Sequence, residues 1–436
     1  YKTPYNSDSL LRLFDHSYAL VVECHAVARR RHLAMRSNRH EVVVVGAGPA
    51  GSSAALHLAQ RGHDVVLVDK SKGPRCRIVC TGIVGREAYE KLDLPCDPVI
   101  DTIDRARFFS PSGVEVSYEP RAPMGHVVDR VKFDAALTEQ ACDAGATLLR
   151  GYTARGIETV RDGLKVILDN GEYRSLHARA LVVATGYQRR LHNMARLGRA
   201  VSYINGVSAD LPFADLDAAE LYFGNQIAPG FFAWAVPYGS GKARLGVLTP
   251  NGGKAFFRKF LEMEPIRSRL RTDFTEGGID LIQRRMMSRG IVQGTVQPSY
   301  SDRVLAVGEA AGQIKTTTSG GIYYGMIGAG IAAEVLSTGL RKNRLSSDHL
   351  STYETAWKAR LGGEIDAGFE LQRMGGAMSD PEIDELFTAL NSGLGPAVRV
   401  LIQFDWHQPA LRALLKRRAS WRLGSSVKTV RGKEVA

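Results

Sequence analysis

The sequence is poor in cysteine, and that removes several function classes at once. Five cysteines (Cys24, Cys76, Cys80, Cys96 and Cys142) are spread over 436 residues, too few and too dispersed for a disulfide scaffold. No Cys-x-x-Cys pair occurs, so neither a zinc ribbon nor an iron–sulfur cluster is expected, and no metal site is predicted. No apolar run approaches the ~20 residues of a membrane-spanning helix. Acidic residues are the scarcer charge: 45 Asp and Glu stand against 57 Lys and Arg, a formal charge of +12. The excess is confined to the ends. Residues 1–40 carry a net +4 and residues 405–436 a net +6, which leaves +2 for the 364 residues between them. A nucleic-acid groove needs positive charge across a folded face, so nucleic acid is not expected as a partner. Basic tails suit either anionic lipid headgroups or plain solvation. The expected location is cytoplasmic, free or at the membrane surface.

What is present is ordinary globular composition, 44% hydrophobic and 23% charged, enough for two or three domains of ~150 residues. Residues 1–39 show no strand-like alternation and no long apolar run, and are set aside as an N-terminal extension, disordered or not native. The first strong signal is Val42–Val45, which predicts a strand buried on both faces of a parallel sheet. It runs into Gly46-Ala47-Gly48-Pro49-Ala50-Gly51, then an alanine-rich helix from Ser52 to Arg61, then a second strand over 64–68 closed by Asp69 and Lys70. Strand, Gly-x-Gly-x-x-Gly, helix, strand and acid fit into 29 residues. This is the context a dinucleotide fingerprint requires. Gly46 allows the tight turn, Gly48 admits the pyrophosphate and Gly51 lets the helix pack on the strand. The helix N-terminus offers free N–H groups to phosphate. Asp69, 18 residues after Gly51, is placed for the ribose hydroxyls and disfavours a 2′-phosphate, so FAD or NAD is expected as the tightly held dinucleotide.

A second unit lies near the other end. A short strand over 303–307 leads into Gly308-Glu309-Ala310-Ala311-Gly312. After Gln313-Ile314-Lys315-Thr316-Thr317-Thr318-Ser319 comes Gly320-Gly321-Ile322, which opens a small-residue helix. Glu309 can bond a ribityl hydroxyl. The amides of Gly320, Gly321 and Ile322 can face a flavin pyrimidine carbonyl, where the helix dipole favours negative charge on a reduced ring. That selects FAD.

These motifs resemble FAD enzymes of the p-hydroxybenzoate-hydroxylase-like group and, within it, the geranylgeranyl reductase family. The resemblance runs from about Glu41 to Arg418. It is carried by VVVVGAGPAGSSAA with VDK, by Cys80-Thr81-Gly82-Ile83, by Pro229-Gly-Phe-Phe232-Ala-Trp234-Ala-Val-Pro237, and by GEAAGQIKTTTSGGIYYGM. Val127-Val-Asp-Arg130-Val-Lys-Phe-Asp134 is similar to the family's arginine turn. The resemblance implies that Ala50 and Asp69 contact pyrophosphate and adenosine ribose, and that Cys80, Thr81 and Ile83 line the flavin. It implies Arg130 near the ribityl–phosphate, Ala154 bonding adenine through its backbone, and Glu309, Gly321 and Ile322 holding the ribityl and flavin. Phe232 and Val236 stand where the family's P-x-x-Y-x-W-x-F-P pattern has Tyr and Phe, and two further places depart. Glu309 stands where the family carries Asp, and Thr185-Gly186 replaces the Asp-Gly pair of many hydroxylases, which counts against a hydroxylase and leaves the donor open.

The expected fold is α/β: an FAD-binding Rossmann-like domain with an inserted antiparallel-sheet substrate domain and a C-terminal helical part. The expected FAD-binding segments are 40–105, 125–195 and 295–340. The sheet takes 106–124 and 196–294, the helical part 341–418, and a basic tail 419–436. Between Val201 and Gln297 the alternation and the aromatics (Tyr222, Phe223, Phe231, Phe232, Trp234, Tyr238) predict a sheet over the flavin, with Phe232, Trp234 and Pro237 lining an apolar slot. A slot without polar handles binds by buried area, ~25 cal/mol per Å², which suits a polyprenyl chain on a lipid, quinone or chlorophyll-type pigment. Cys80 is then either the proton donor or a packing residue. Tyr323, Tyr324 and His57 read as packing. Trp406 and Trp421 near the basic end are candidates for bilayer contact. No second nucleotide fingerprint appears, so NADPH visits transiently or reduced ferredoxin supplies the electrons. The competing reading is a flavin-dependent monooxygenase or halogenase of the same fold, since 232–237 partly matches W-x-W-x-I-P with Phe at the first Trp. An electron-transfer flavoprotein lacks its cluster cysteines here, and an inert lipid-binding flavoprotein would show no alkene reduction.

Overall fold

A computed structural model describes residues 38–73, 79–186, 188, 190–239, 241–271, 276–394 and 403–413. Most of the N-terminal extension, the basic tail, Cys24, Cys76 and Trp421 therefore lie outside the described residues. In chain order the elements begin with β1 (Arg39–Val45), α1 (Pro49–Gln60), β2 (Val65–Asp69), β3 (Ile83–Gly85), α2 (Arg86–Lys91), β4 (Val99–Ile103), β5 (Ala106–Phe109), β6 (Glu115–Tyr118) and β7 (Gly125–Val128). Next come α3 (Arg130–Asp143), β8 (Thr147–Arg150), β9 (Thr153–Val160), β10 (Gly163–Asp169), β11 (Tyr173–Val183) and α4 (Arg190–Met194). The middle of the chain gives β12 (Ser202–Pro212), β13 (Ala219–Tyr222), β14 (Ala233–Pro237), β15 (Lys242–Thr249), α5 (Gly253–Glu262), α6 (Glu264–Arg267), α7 (Glu276–Arg285) and β16 (Met287–Gln293). It closes with β17 (Tyr300–Ser301), β18 (Val304–Ala306), a 3-10 turn over Gly308–Ala311, α8 (Ile322–Arg341), α9 (Ser347–Gly375) and α10 (Asp380–Ala389).

The first sheet runs β17-β18-β11-β1-β2-β8, with β10 and β9 added beside β11. Its centre is parallel: β1 pairs with β11 on one side and β2 on the other, Val43 lying opposite Leu181 and Val66. The valine run explains the position. Val42 and Val44 face the cluster formed with α1, α3, α8 and α9, while Val43 and Val45 face the cluster under β9 and β10. A strand apolar on both faces belongs in the middle of a covered sheet.

The second sheet runs β16-β12-β15-β14-β13-β5-β6. It is antiparallel as expected except at one seam, where β13 pairs with β5 in parallel. Its two faces separate by alternation. Ala233 and Ala235 turn towards α5, with Phe257 and Phe260. Phe232, Trp234 and Val236 turn the other way, into a cluster with Val127 and Ile314, against which Ile83 packs. That second face looks onto the nucleotide-binding part. A three-stranded sheet, β3-β7-β4, lies between the two.

Two helices, α9 of 29 residues and α10 of 10, follow the nucleotide-binding part, within the expected helical part. Within the expected helical part 341–418, residues 395–402 lie outside the described ones. Residues 403–407 form a non-helical turn, and helix is present from Gln408 to Ala413. Trp406 turns inward: its ring stacks on Tyr324 at 5.6 Å and lies under the Arg360 guanidinium at 4.3 Å. It is a packing residue, which corrects its expected place at a bilayer. No helix among the described residues is long and apolar enough to cross a membrane.

Candidate functional site

The glycine turn after β1 is as tight as its spacing demands. Gly46 has φ +109°, and a Cβ there would lie 2.3 Å from the Ala184 carbonyl oxygen. A Cβ on Gly51 would lie 1.8 Å from the Gly46 oxygen, so the helix and the turn touch backbone to backbone. α1 starts from Gly48 with no side-chain cap and no acidic residue in its first turn. Its amides are left for an external anion. Asp69 is buried. Its Oδ2 accepts from the Ala47 amide and its Oδ1 from the Ser71 amide, both at 2.8 Å, so it also holds the glycine turn. Lys70 is exposed, and Ala154 is half-buried on β9.

The second unit meets the first directly. Gly308 has φ +66°, and a Cβ on it would come within 2.7 Å of the Ala50 Cβ. α8 begins at Gly321, again with no side-chain cap and no acid in its first turn. The loop before it is anchored from far away in sequence. Gln313 accepts from the Gly308 amide and donates to the Tyr353 hydroxyl, both at 2.7 Å. The buried Lys315 ammonium donates to the Phe404 carbonyl oxygen at 2.6 Å and pairs with Asp405 at 3.2 Å. Thr317 bonds the His407 ring at 2.7 Å. Burial and the Lys315 charge push His407 down to about 3. Two uncapped helix starts, joined where an added methyl group would not fit, suit the pyrophosphate and the ring of one FAD molecule.

Glu309, one methylene longer than the family's Asp, reaches out of this cradle. It pairs with Arg289 of β16 and accepts from the Val292 amide at 3.1 Å. The carboxylate expected at the ribityl is thus engaged by the second sheet.

Cys80 sits between two arginines. Arg130, the first residue of α3 and 8% exposed, binds Asp134 through Nε and Nη2 at 2.9–3.1 Å. Its charge also acts on the Cys80 thiol. Arg244 crosses from β15. It grips Asp210 at 2.6 and 2.8 Å, donates to the Cys80 carbonyl oxygen at 3.3 Å and stacks on Tyr238 at 3.9 Å. Burial alone raises the Cys80 pKa. Arg130, the Gly82 amide and Arg244 outweigh it, and the thiol is held below its ordinary value. The Ile83 amide donates to Thr81 Oγ1 at 3.3 Å. Arg244 was not legible beforehand, because its tie to Cys80 spans 164 positions and matches no motif, and Asp210 enters only through Arg244.

Phe232 and Trp234, 7% and 3% exposed, meet at 6.1 Å between ring centres. The indole lies over Gly246 on the neighbouring strand. Its N–H is buried and has no hydrogen-bond partner among the described residues. Tyr323 donates to Glu87 and Tyr324 to the Asp405 carbonyl oxygen, consistent with packing.

The chain resembles several known proteins over most of its length. A digeranylgeranylglycerophospholipid reductase of Methanocaldococcus jannaschii is 31% identical over 371 residues, 81% of this chain and 91% of that protein. One from Methanosarcina acetivorans is 27% identical, covering 86% of this chain and 93% of its own. The pyridine nucleotide-disulphide oxidoreductase family matches residues 40–208. Among solved structures, a geranylgeranyl bacteriochlorophyll reductase-like protein of Thermoplasma acidophilum superposes with a TM-score of 0.75 at 21% identity, covering 86% of this chain and 95% of that one. A flavin-dependent brominase superposes at 0.62 with 18% identity over 88% of this chain and 99% of its own, a likeness of fold. With the two nucleotide units joined as described, the chain belongs to the geranylgeranyl reductase family of FAD-dependent oxidoreductases.

Proposed function

We propose that the chain saturates isoprenoid double bonds of a polar lipid, with a geranylgeranyl chain as the reacting group. The observation that carries this reading is the 31% identity to a digeranylgeranylglycerophospholipid reductase across 81% of the chain. Its support in the molecule is the wall of Phe232, Trp234 and Val236, which shares one apolar cluster with Val127 and Ile314 of the flavin-facing elements. An alkene chain is positioned there by apolar contact, and the same wall excludes water.

Bound in the cradle, FAD supplies the hydride for one alkene carbon. The protein's task is to hold that alkene and to deliver a proton to the other carbon. We assign the proton to Cys80 Sγ. The two arginines beside it make the thiol a stronger acid than an ordinary cysteine. Gly46, Gly48, Ala50, Gly51 and Asp69 hold the adenosine and pyrophosphate end in this reading, with Lys70 and Ala154 at its edge. Arg130, Gly308, Glu309, Gly320, Gly321, Ile322, Thr81 and Ile83 hold the ribityl and ring. The electrons come from NADPH or from reduced ferredoxin.

The test is anaerobic. The purified yellow protein is reduced with dithionite and mixed with geranylgeranyl lipids, quinones and pigments. A product heavier by two hydrogens per double bond, formed as the flavin reoxidises, is expected. Flavin turnover only after oxygen is admitted, with an oxygenated or halogenated product, would replace this reading with a monooxygenase or halogenase.

A further inference from the structure

We infer that Ser208 and Trp234 form a neutral hydrogen-bonding point within the apolar wall, built for an oxygen beside the reacting double bond: that of an allylic ether, ester or alcohol. The inference rests on the alkene reduction proposed above and adds the group that the reacting end of the substrate carries.

Strand register sets the two residues in one row. Ser208 of β12 lies directly opposite Gly246 of β15, and Gly246 lies directly opposite Trp234 of β14. Residues paired across strands share a face. Val207 and Ala209 turn to the side covered by α5. Ser208 therefore turns, like Trp234, to the side of Val127 and Ile314. Gly246 contributes no side chain to the middle of the row, and the indole lies there instead: a Cβ on Gly246 would stand 2.5 Å from Cε2. Nε1 is bonded to Cε2, so the N–H sits over the strand that separates Trp234 from Ser208.

Both polar atoms stand unpaired. Ser208 is 0% exposed and Trp234 3%. Neither Ser208 Oγ nor Trp234 Nε1 has a hydrogen-bond partner among the described residues, which is costly for each. An indole N–H only donates, and a serine hydroxyl donates as well as accepts. One acceptor oxygen satisfies both. The charge beside them favours a neutral oxygen. Arg244, two residues from Gly246 on the same face, is committed to Asp210 and to the Cys80 carbonyl oxygen, so it is not offered to a phosphate.

The point also lies beside the segment that carries Cys80. Gly206, Ser208 and Asp210 follow one another on this face of β12. A Cβ on Gly206 would meet Val79 at 3.2 Å, and Asp210 holds the arginine that binds the Cys80 carbonyl oxygen. The segment thus touches the neighbours of Ser208 on both sides. In an isoprenoid lipid the oxygen nearest a double bond is the allylic one, a single methylene away. Held by Ser208 and Trp234, it brings that double bond, rather than a remote one, towards Cys80.

The test uses the full-chain, FAD-loaded protein in its oxidised form, which does not turn over. Binding of geranylgeranyl methyl ether, and of the hydrocarbon with a methylene in place of its oxygen, is followed by flavin absorbance. The ether is expected to bind about tenfold more tightly, and Ser208→Ala and Trp234→Phe are each expected to cut that preference about threefold. Taking the ratio removes the apolar contact that Trp234→Phe also loses. Ser208→Ala deletes an unpaired buried hydroxyl and should fold as the wild type does, with FAD content and Tm as the check. Equal affinity of the wild type for the two ligands, the result expected if a water serves both groups, overturns the inference. A preference that either variant leaves whole overturns it too, by placing the oxygen elsewhere. Dithionite-driven reduction then tests the reaction separately. Reduction of the ether without a preference in binding leaves the reaction and removes the inference. A preference lost in the variants, without reduction of any double bond, leaves the point standing and removes only the proposed reaction.

Discussion

Replacing Gly246 by alanine tests whether the indole of Trp234 is truly fixed in its wall. Gly246 lies opposite Trp234 across the β14–β15 pair. An added Cβ would stand 2.1 Å from the indole Cζ2 and 2.5 Å from Cε2 and Cη2. Carbon atoms settle at about 3.5–4.0 Å, so the ring or the strand must shift by well over an ångström. The ring has no free direction, being 3% exposed and packed on Phe232. Overpacking of this kind costs about 1–3 kcal/mol. Without the clash, Gly→Ala in a strand stabilises by roughly 0.4–1 kcal/mol through the unfolded chain, so the sign is diagnostic. Gly375, at the end of α9 with nothing near its virtual Cβ, is the matched control and should be neutral or stabilising as alanine. The assay is thermal unfolding of the FAD-loaded protein, followed by KM for a geranylgeranyl lipid. Gly246→Ala should lower Tm by at least about 2 °C, raise KM and leave FAD content intact. A Tm equal to or above wild type with unchanged KM would refute the reading that Trp234 is a rigid part of the wall.

Other outcomes follow from the same contacts. Cys80 should be alkylated with a pH midpoint below that of an ordinary thiol, and Arg244→Gln should move the midpoint upwards. Gly308→Ala, at φ +66° and against Ala50, should lower the flavin-to-protein absorbance ratio of the purified enzyme. His407 has a depressed pKa, so its contribution is complete above the unfolded value near 6.5 and is lost as pH falls towards 3. At pH 5 the loss is about 2 kcal/mol, and His407→Asn should flatten that limb of the stability curve measured by denaturant unfolding.

How much of this could be read from the chain depends on range. Val42–Val45, the glycine spacing after them and the alternation through Phe232–Val236 are local, and local patterns decide which faces are buried. The meeting of Gly308 with Ala50 was implied only by two separate motifs of matching kind. The surroundings of Cys80 were not readable, because Arg244 and Asp210 come from paired strands of the second sheet and reach it through tertiary packing. Trp406 misleads for the same reason: a tryptophan beside a basic tail looks interfacial until Tyr324 and Arg360 are found against its ring. Glu309 shows a subtler limit. One extra methylene changes nothing in the pattern, yet it lets the carboxylate reach Arg289.

The anchoring of the loop ahead of α8 by Phe404, Asp405 and His407 has a consequence in time. The turn that opens at Gly46 is complete once β11, followed by the Ala184 carbonyl that packs against it, has left the ribosome. Lys315, Thr317 and Tyr324, in and just after the loop ahead of α8, find their partners only after the chain has grown past His407. On the cofactor placement proposed above, the adenosine end then has a home during synthesis hundreds of residues before the ring does. A nascent chain stopped short of Phe404 is expected to hold the nucleotide loosely, with its redox-active end still in water.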